Sequence, residues 1–308
     1  MKYNAWITTI TKLGCDKMRF HYVQAKGLLS AQNGMNIYRG CTHGCIYCDA
    51  RSKCYQMQHD FEDVEVKQNA PQLLEAALRK KRSRCIISTG AMSDPYIHLE
   101  EDLKLMRQCL EIINKYSFGC NIQTKSNRIL RDIDLLQSIN QKSKCVVQIT
   151  LTTFDEKMCK ILEPDVSTTF ERAKALKQLN KAGIPTIVWL SPLMPFLNDT
   201  AENIKGIIEL CAEANVAGII FFGAGTTLRS GNREYFYKQI DKNFPGMSKK
   251  YHQNFGSSYG ISSKNSKELS KLFHAQCQKY NILHTNKEVF KFAYNFAENA
   301  NKQLSFFD

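Results

Sequence analysis

The chain has 308 residues, of which 43% are hydrophobic, and 42 Lys and Arg against 29 Asp and Glu give a net charge of +13. That apolar content excludes a disordered chain, and no apolar run approaches the ~20 residues of a membrane-spanning helix. The start, Met1-Lys2-Tyr3-Asn4-Ala5-Trp6, lacks the apolar stretch of a secretory signal, so a cytoplasmic location is expected, with the 12 cysteines serving as metal ligands or free thiols rather than disulfides.

Residues 1–30 read as an N-terminal extension, with five Lys and Arg and one acid. Residues 31–225 form the core unit, in which short apolar runs alternate with helical patterns. The predicted strands are Met35–Tyr38, Cys85–Thr89, Cys120–Thr124, Cys145–Leu151, Pro185–Leu190 and Gly218–Phe222. Between them, Leu103, Met106, Leu110 and Ile113 line one helical face. Ala173, Leu176 and Leu179 line another, capped at Ser167-Thr168 and stopped by Gly183. Six strands alternating with helices predict parallel βα units with right-handed crossovers. The stretch is shorter than the ~250 residues of a complete eight-fold barrel. A partial barrel or open sheet is therefore expected, with its active site at the C-terminal ends of the strands.

Residues 226–308 form a basic, mainly helical C-terminal region, with 13 Lys and Arg against six acids. Gly231–Phe244 is aromatic and basic, Pro245-Gly246 is a turn, and Gly256–Ser263 reads as a loop. Helical patterns follow near Lys264–Tyr280 and Asn286–Lys302. The basic flanks suit a polyanionic partner such as nucleic acid, and they equally suit a solvated basic surface.

The strongest chemical signal is Gly40-Cys41-Thr42-His43-Gly44-Cys45-Ile46-Tyr47-Cys48, a C-x3-C-x2-C run directly after the first strand. Thiolates bind iron–sulfur clusters, and three of them on a four-iron cubane leave one iron open. An open coordination position marks a reactive centre. A four-cysteine zinc site with Cys54 as fourth ligand fits the same residues. It would make the chain a non-catalytic, zinc-binding adaptor for nucleic acid or a sliding clamp.

The run resembles the radical S-adenosylmethionine (SAM) superfamily. The wider stretch Asn36–Arg51 is similar to the branch related to spore photoproduct lyase. The similarity continues at Ser93-Asp94-Pro95-Tyr96, Gln123-Thr124-Lys125-Ser126, Arg131–Leu136, Leu162-Glu163-Pro164, Arg172, Ala182–Pro185, Pro192–Pro195 and Asn198-Asp199. The resemblance implies a partial (β/α)6 TIM-like barrel, a [4Fe–4S] cluster on Cys41, Cys45 and Cys48, and SAM on the open iron. It implies reductive cleavage of SAM to a 5′-deoxyadenosyl radical, with electrons from a donor such as flavodoxin or ferredoxin. It also implies contacts from Tyr47 to the adenine and from Lys125 to the SAM carboxylate. Two departures stand out. The lyase has a cysteine in the loop after the second strand, where this chain has Ala91-Met92-Ser93-Asp94. It has a Tyr after the third cluster cysteine, where this chain has Asp49. The SAM chemistry carries over to a lyase- or transferase-like enzyme, and the two departures count against the photoproduct lyase reaction itself.

Other polar residues are candidates for the same site. Ser93 and Asp94 follow the second strand and face SAM or the substrate, unless they only form a turn with Pro95. Gln148 and Thr150 share one face of the fourth strand, directed into the barrel, where SAM or neighbouring strands satisfy them. Glu163 and Arg172 read as a structural ion pair, Cys54 as a buried thiol, and His43 as either a donor in the loop or a solvent-facing ring. The final Gln303, Leu304, Ser305, Phe306 and Phe307 resemble the short peptide that docks bacterial DNA enzymes on the sliding clamp, or pack back on the last helix.

Overall fold

The computed structural model describes residues 7–10 and 18–296. Six parallel strands form the central sheet: β1 (Gly34–Met35), β2 (Ile86–Thr89), β3 (Gly119–Thr124), β4 (Cys145–Thr150), β5 (Thr186–Trp189) and β6 (Gly218–Ile220). Their spatial order follows the chain from β1 to β6, and every neighbouring pair is parallel. This is the expected mixed α/β fold, a partial TIM-like barrel with added helices.

All six residues of β4 are buried. A strand covered on both faces shows an apolar run instead of alternation. Its outward residues, Val147 and Ile149, join the main core with the surrounding helices. Its inward residues behave differently from bottom to top. Val146 packs with Ile187, Ile220, Val289 and Ala293, so the helix Asn286–Tyr294 plugs the barrel interior. One step up, the Gln148 amide donates to Asn121 Oδ1, and the Trp189 indole donates to Gln148 Oε1. Above this polar layer lies Thr150.

The first predicted strand is divided. Met35 ends β1, and Tyr38–Arg39 leaves the barrel to pair antiparallel with Asp63–Lys67. A second sheet results, ordered Ile7–Ile10, Met18–Val23, Asp63–Lys67, Tyr38–Arg39. The buried Tyr38 hydroxyl donates to Glu100 at 2.5 Å and fixes this departure. The helical face beginning at Leu103 is also divided. Lys104 has φ 51° and separates Glu100–Leu103 from Leu105–Lys115. Glu100 Oε1 accepts the Met106 N–H at 3.0 Å, which serves the helix restarted after the break. The helix Thr169–Lys181 carries the expected start, a reciprocal Thr168–Glu171 capping box.

The region after residue 225 packs onto the barrel. Gly225–Thr227 pairs antiparallel with Gly260–Ser262, inside the segment expected to be a loop. Helices Asn232–Asn243 and Met247–Phe255 bring Phe236, Ile240 and Tyr251 against Cys45, Ile46 and Tyr47. Helix Ser266–Lys279 packs on Ala201–Glu213, with Phe273 against Phe221 at 4.5 Å. Among the described residues, no helix is long and apolar enough to cross a membrane.

Candidate active site

The cysteine loop leaves the second sheet at Gly40, where φ is +92° and a Cβ would sit 2.5 Å from the Phe61 carbonyl oxygen. Only glycine lets the chain turn that close to its neighbour. The Cys41 N–H then donates to Phe61 O at 3.2 Å, and the Ile46 N–H to Leu162 O at 3.0 Å. Ser93 Oγ donates to Gly40 O at 2.5 Å, closing the loop from the β2 side. Three elements distant in sequence therefore fix one short loop.

Cys41, Cys45 and Cys48 line one cavity of about 540 Å³, together with Tyr47, Ser93, Lys125 and Thr150. It lies at the C-terminal ends of the barrel strands, as the alternation predicts. The described residues gather one set of ligand atoms within 4.8 Å of one another, and it is His21, His59 and Glu65. Burial, reinforced by Asp94, pushes the Cys41 thiol up to about 12. Burial likewise raises Cys45. Such thiols ionise when a bound cation takes the proton's place.

Lys125 follows β3 and reaches over the Tyr47 ring, Nζ to centroid 5.8 Å. Burial would lower its ammonium, but Cys45, Glu163, Cys48 and Asp94 outweigh burial and hold it charged. Asp94 positions Lys125 directly, because its Oδ2 accepts the Lys125 N–H at 2.7 Å while Oδ1 accepts from Thr124 Oγ1 and the Tyr96 N–H. Behind Tyr47, its hydroxyl donates to Glu163, which is paired with Arg172; both charged side chains are fully buried. His43 is buried rather than solvent-facing, with Nδ1 3.4 Å from Asp94 Oδ2. Cys54 is exposed, contrary to the expected burial, and its sulfur accepts from Arg229 Nη1 at 3.3 Å. The paired Gln148 and Thr150 part company. Gln148 is engaged in the layer beneath the cavity, whereas Thr150 lines it and its buried Oγ1 has no hydrogen-bond partner. Gln303 to Phe307 lie outside the described residues.

Several cavity residues escape sequence reasoning. Gly90 has φ +98°, and a Cβ there would meet Gln123 O at 1.9 Å, so the loop after β2 crosses β3 in contact. Trp189 and Phe222 line the cavity with ring centroids 5.9 Å apart. Tyr55 lines it and donates to Asp49 at 3.0 Å. A Gly directly after a strand is a readable signal for the first. Nothing local marks the others.

Residues 35–211 match the family model described as the radical SAM superfamily. The chain belongs to the radical SAM superfamily. It is therefore an enzyme of radical SAM type, and its cofactors are a [4Fe–4S] cluster and SAM. An uncharacterized protein of Mycobacterium tuberculosis is 26% identical over 253 residues, 77% of this chain and 74% of that one. One of Methanocaldococcus jannaschii is 35% identical over 167 residues, 54% and 61% respectively. Spore photoproduct lyase complexed with dinucleoside spore photoproduct shares the fold, with a TM-score of 0.64 at 12% identity over 86% of this chain and 80% of that one. A lyase variant with bound AdoMet and the same photoproduct gives a TM-score of 0.59 at 12% identity over 80% and 74%. The radical SAM cofactors fit the residues present. The cavity lies within the ~300–1,000 Å³ usual for such ligands. It offers three thiols, a held cation and an unpartnered Thr150 hydroxyl.

Proposed function

We propose that Cys41, Cys45 and Cys48 hold the cluster, that SAM occupies the space between Tyr47, Lys125 and Thr150, and that the substrate is nucleic acid. The observation that carries this reading is the convergence of the three cysteines, a charged Lys125 and an unsatisfied Thr150 Oγ1 on one cavity. When bound, the two cofactors together supply a 5′-deoxyadenosyl radical that abstracts hydrogen. The chain's own residues bind and orient. Lys125 offers an ammonium to a carboxylate, a charge-assisted contact in a site shielded from water. Thr150 offers a hydroxyl and Tyr47 an aromatic wall. Ser93 serves by holding Gly40, and Gln148 by holding Trp189 at the cavity floor. Hydrogen abstraction calls for a dry pocket and fixed geometry, which the barrel walls and the Gly225–Thr227 and Gly260–Ser262 pair favour.

A nucleic-acid substrate is supported by the net charge of +13 and by the aromatic groups at the cavity mouth. Phe222 is 61% exposed beside Trp189. Arg229 lies 4.9 Å over the Tyr259 ring and 6.0 Å from that of Tyr55. Exposed rings interleaved with basic groups stack on bases and attract phosphates. The lyase of like fold is seen with a dinucleoside photoproduct. Anaerobic incubation of the reconstituted enzyme with SAM, reductant and damaged DNA tests the reading. 5′-Deoxyadenosine and a mass change in the DNA are expected, and 5′-deoxyadenosine without any change in nucleic acid rejects the substrate assignment. In the same assay, Lys125→Ala is expected to weaken SAM binding by roughly ten- to a hundredfold, the worth of one charge-assisted contact. Unchanged SAM affinity removes Lys125 from the site.

The terminal peptide belongs to the same reading, with a bacterial sliding clamp as its partner. Replacing Gln303, Phe306 and Phe307 by alanine is expected to abolish binding to an immobilised clamp while SAM cleavage persists. Equal retention of both proteins on the clamp contradicts it.

A further inference from the structure

The face of the second sheet turned away from the core carries a cluster that the SAM site leaves unused. Phe20, Val64, Val66 and Tyr38 are buried on one face. Strand alternation sends His21, Glu65 and Arg39 to the other. Parallel pairing sets His21 opposite Glu65, and antiparallel pairing sets Arg39 opposite Glu65 from the other side. His59, from the turn preceding Asp63–Lys67, stacks edge-on against His21 with centroids 4.9 Å apart. One ligand atom each from His21, His59 and Glu65 lies within 4.8 Å of the other two.

We propose that His21, His59 and Glu65 bind a zinc-class divalent cation. The anchoring of both rings supports this. His21 Nδ1 donates to Asp63 Oδ1 at 3.1 Å, and His59 Nδ1 donates to the Asp60 carbonyl at 3.0 Å. Metal-binding histidines are held in this way, one nitrogen donating to a carboxylate or carbonyl while the other faces the ion. His59 Nε2 is in turn 2.8 Å from Glu65 Oε1. The side chains of His21, His59 and Glu65 are only 13, 20 and 17% exposed, which limits their rotamers.

The donor set favours a zinc-class ion over calcium or magnesium. Two imidazoles and one carboxylate with a fourth position open suit zinc, whereas calcium and magnesium take oxygen ligands throughout. The surrounding charge is mixed. Arg39 Nη1 lies 3.5 Å from Glu65 Oε1 and Arg19 pairs with Asp60, while Asp63 and Glu65 supply the negative side. The position of the site has a consequence for the enzyme. His59 stands two residues before Phe61, whose carbonyl accepts the Cys41 N–H and abuts Gly40. A cation here ties that backing segment to the sheet behind the first cysteine.

The test is dialysis of the cluster-loaded full-length protein against zinc chloride, followed by zinc, iron and sulfide analysis and zinc X-ray absorption. About one zinc per chain is expected, bound by imidazole nitrogen and oxygen without sulfur, with iron and sulfide unchanged. His59→Ala and Glu65→Gln are expected to lose the zinc, and Asp63→Asn to weaken it by about 10–100-fold. Substoichiometric zinc, sulfur in its coordination shell, or full retention by His59→Ala overturns the proposal. The absorption spectrum is read on the unmodified protein, so a variant that fails to fold leaves the outcome decided.

Discussion

Simultaneous Cys41→Ala, Cys45→Ala and Cys48→Ala substitution is expected to reduce reconstituted iron and sulfide from about four of each per chain to background, and SAM cleavage with it. The physical reason is the donor set. Burial holds the Cys41 and Cys45 thiols protonated until a cation replaces the proton, so alanine leaves the site without any group of comparable affinity. Cys54→Ala is the matched control. Its sulfur is exposed and bonded to Arg229, so iron loading is expected to be unchanged. This pair also separates the cluster from the four-cysteine zinc reading, in which Cys54 is indispensable. Anaerobic reconstitution with iron and sulfide analysis reads the result. Full loading in the triple variant rejects the ligand assignment.

Arg172→Met is expected to destabilise the fold by about 3–5 kcal/mol, the usual cost of leaving one member of a buried pair behind. Arg172 and Glu163 are both fully buried. Arg172 also donates to Thr150 O at 2.6 Å and to Cys159 Sγ at 3.2 Å. Burial alone would raise the Glu163 carboxyl, but Arg172 and then Lys125 outweigh it and hold it below the ordinary carboxylate range. The sign of the pH dependence follows. A carboxyl lowered on folding stabilises at pH above its unfolded value, and that contribution is lost as pH falls through the lower folded value. Without Arg172 burial lifts the folded value, so the carboxyl's stabilising contribution and its loss in acid both shrink. Urea unfolding across pH measures both effects. The double variant Glu163→Gln/Arg172→Met is expected to lose less than the single one, because no unpaired charge stays buried. Equal urea midpoints for wild type and Arg172→Met at neutral pH contradict the argument.

What the sequence determined by itself is local and periodic. Runs such as Cys145–Leu151 mark a strand, Ser167-Thr168 marks a helix start, and the cysteine spacing marks the loop that reaches the active face. These signals lie within a few residues of one another, so short-range sterics and hydrogen bonding write them into the chain. Only the tertiary structure decided which partners those elements meet. Met35 and Tyr38 are three residues apart, yet they join different sheets because Tyr38 finds Glu100 and pairs across to Val66. Gly225–Thr227 becomes a strand because Gly260–Ser262 returns to it across two helices. Gln148 and Thr150 share one face of β4, but Asn121 and Trp189 engage the first and leave the second open to the cavity. His21 and His59 acquire a common purpose with Glu65 only through strand register and a turn. Each of these depends on groups far apart in sequence, whose encounter is set by the packing of the whole chain rather than by any local propensity.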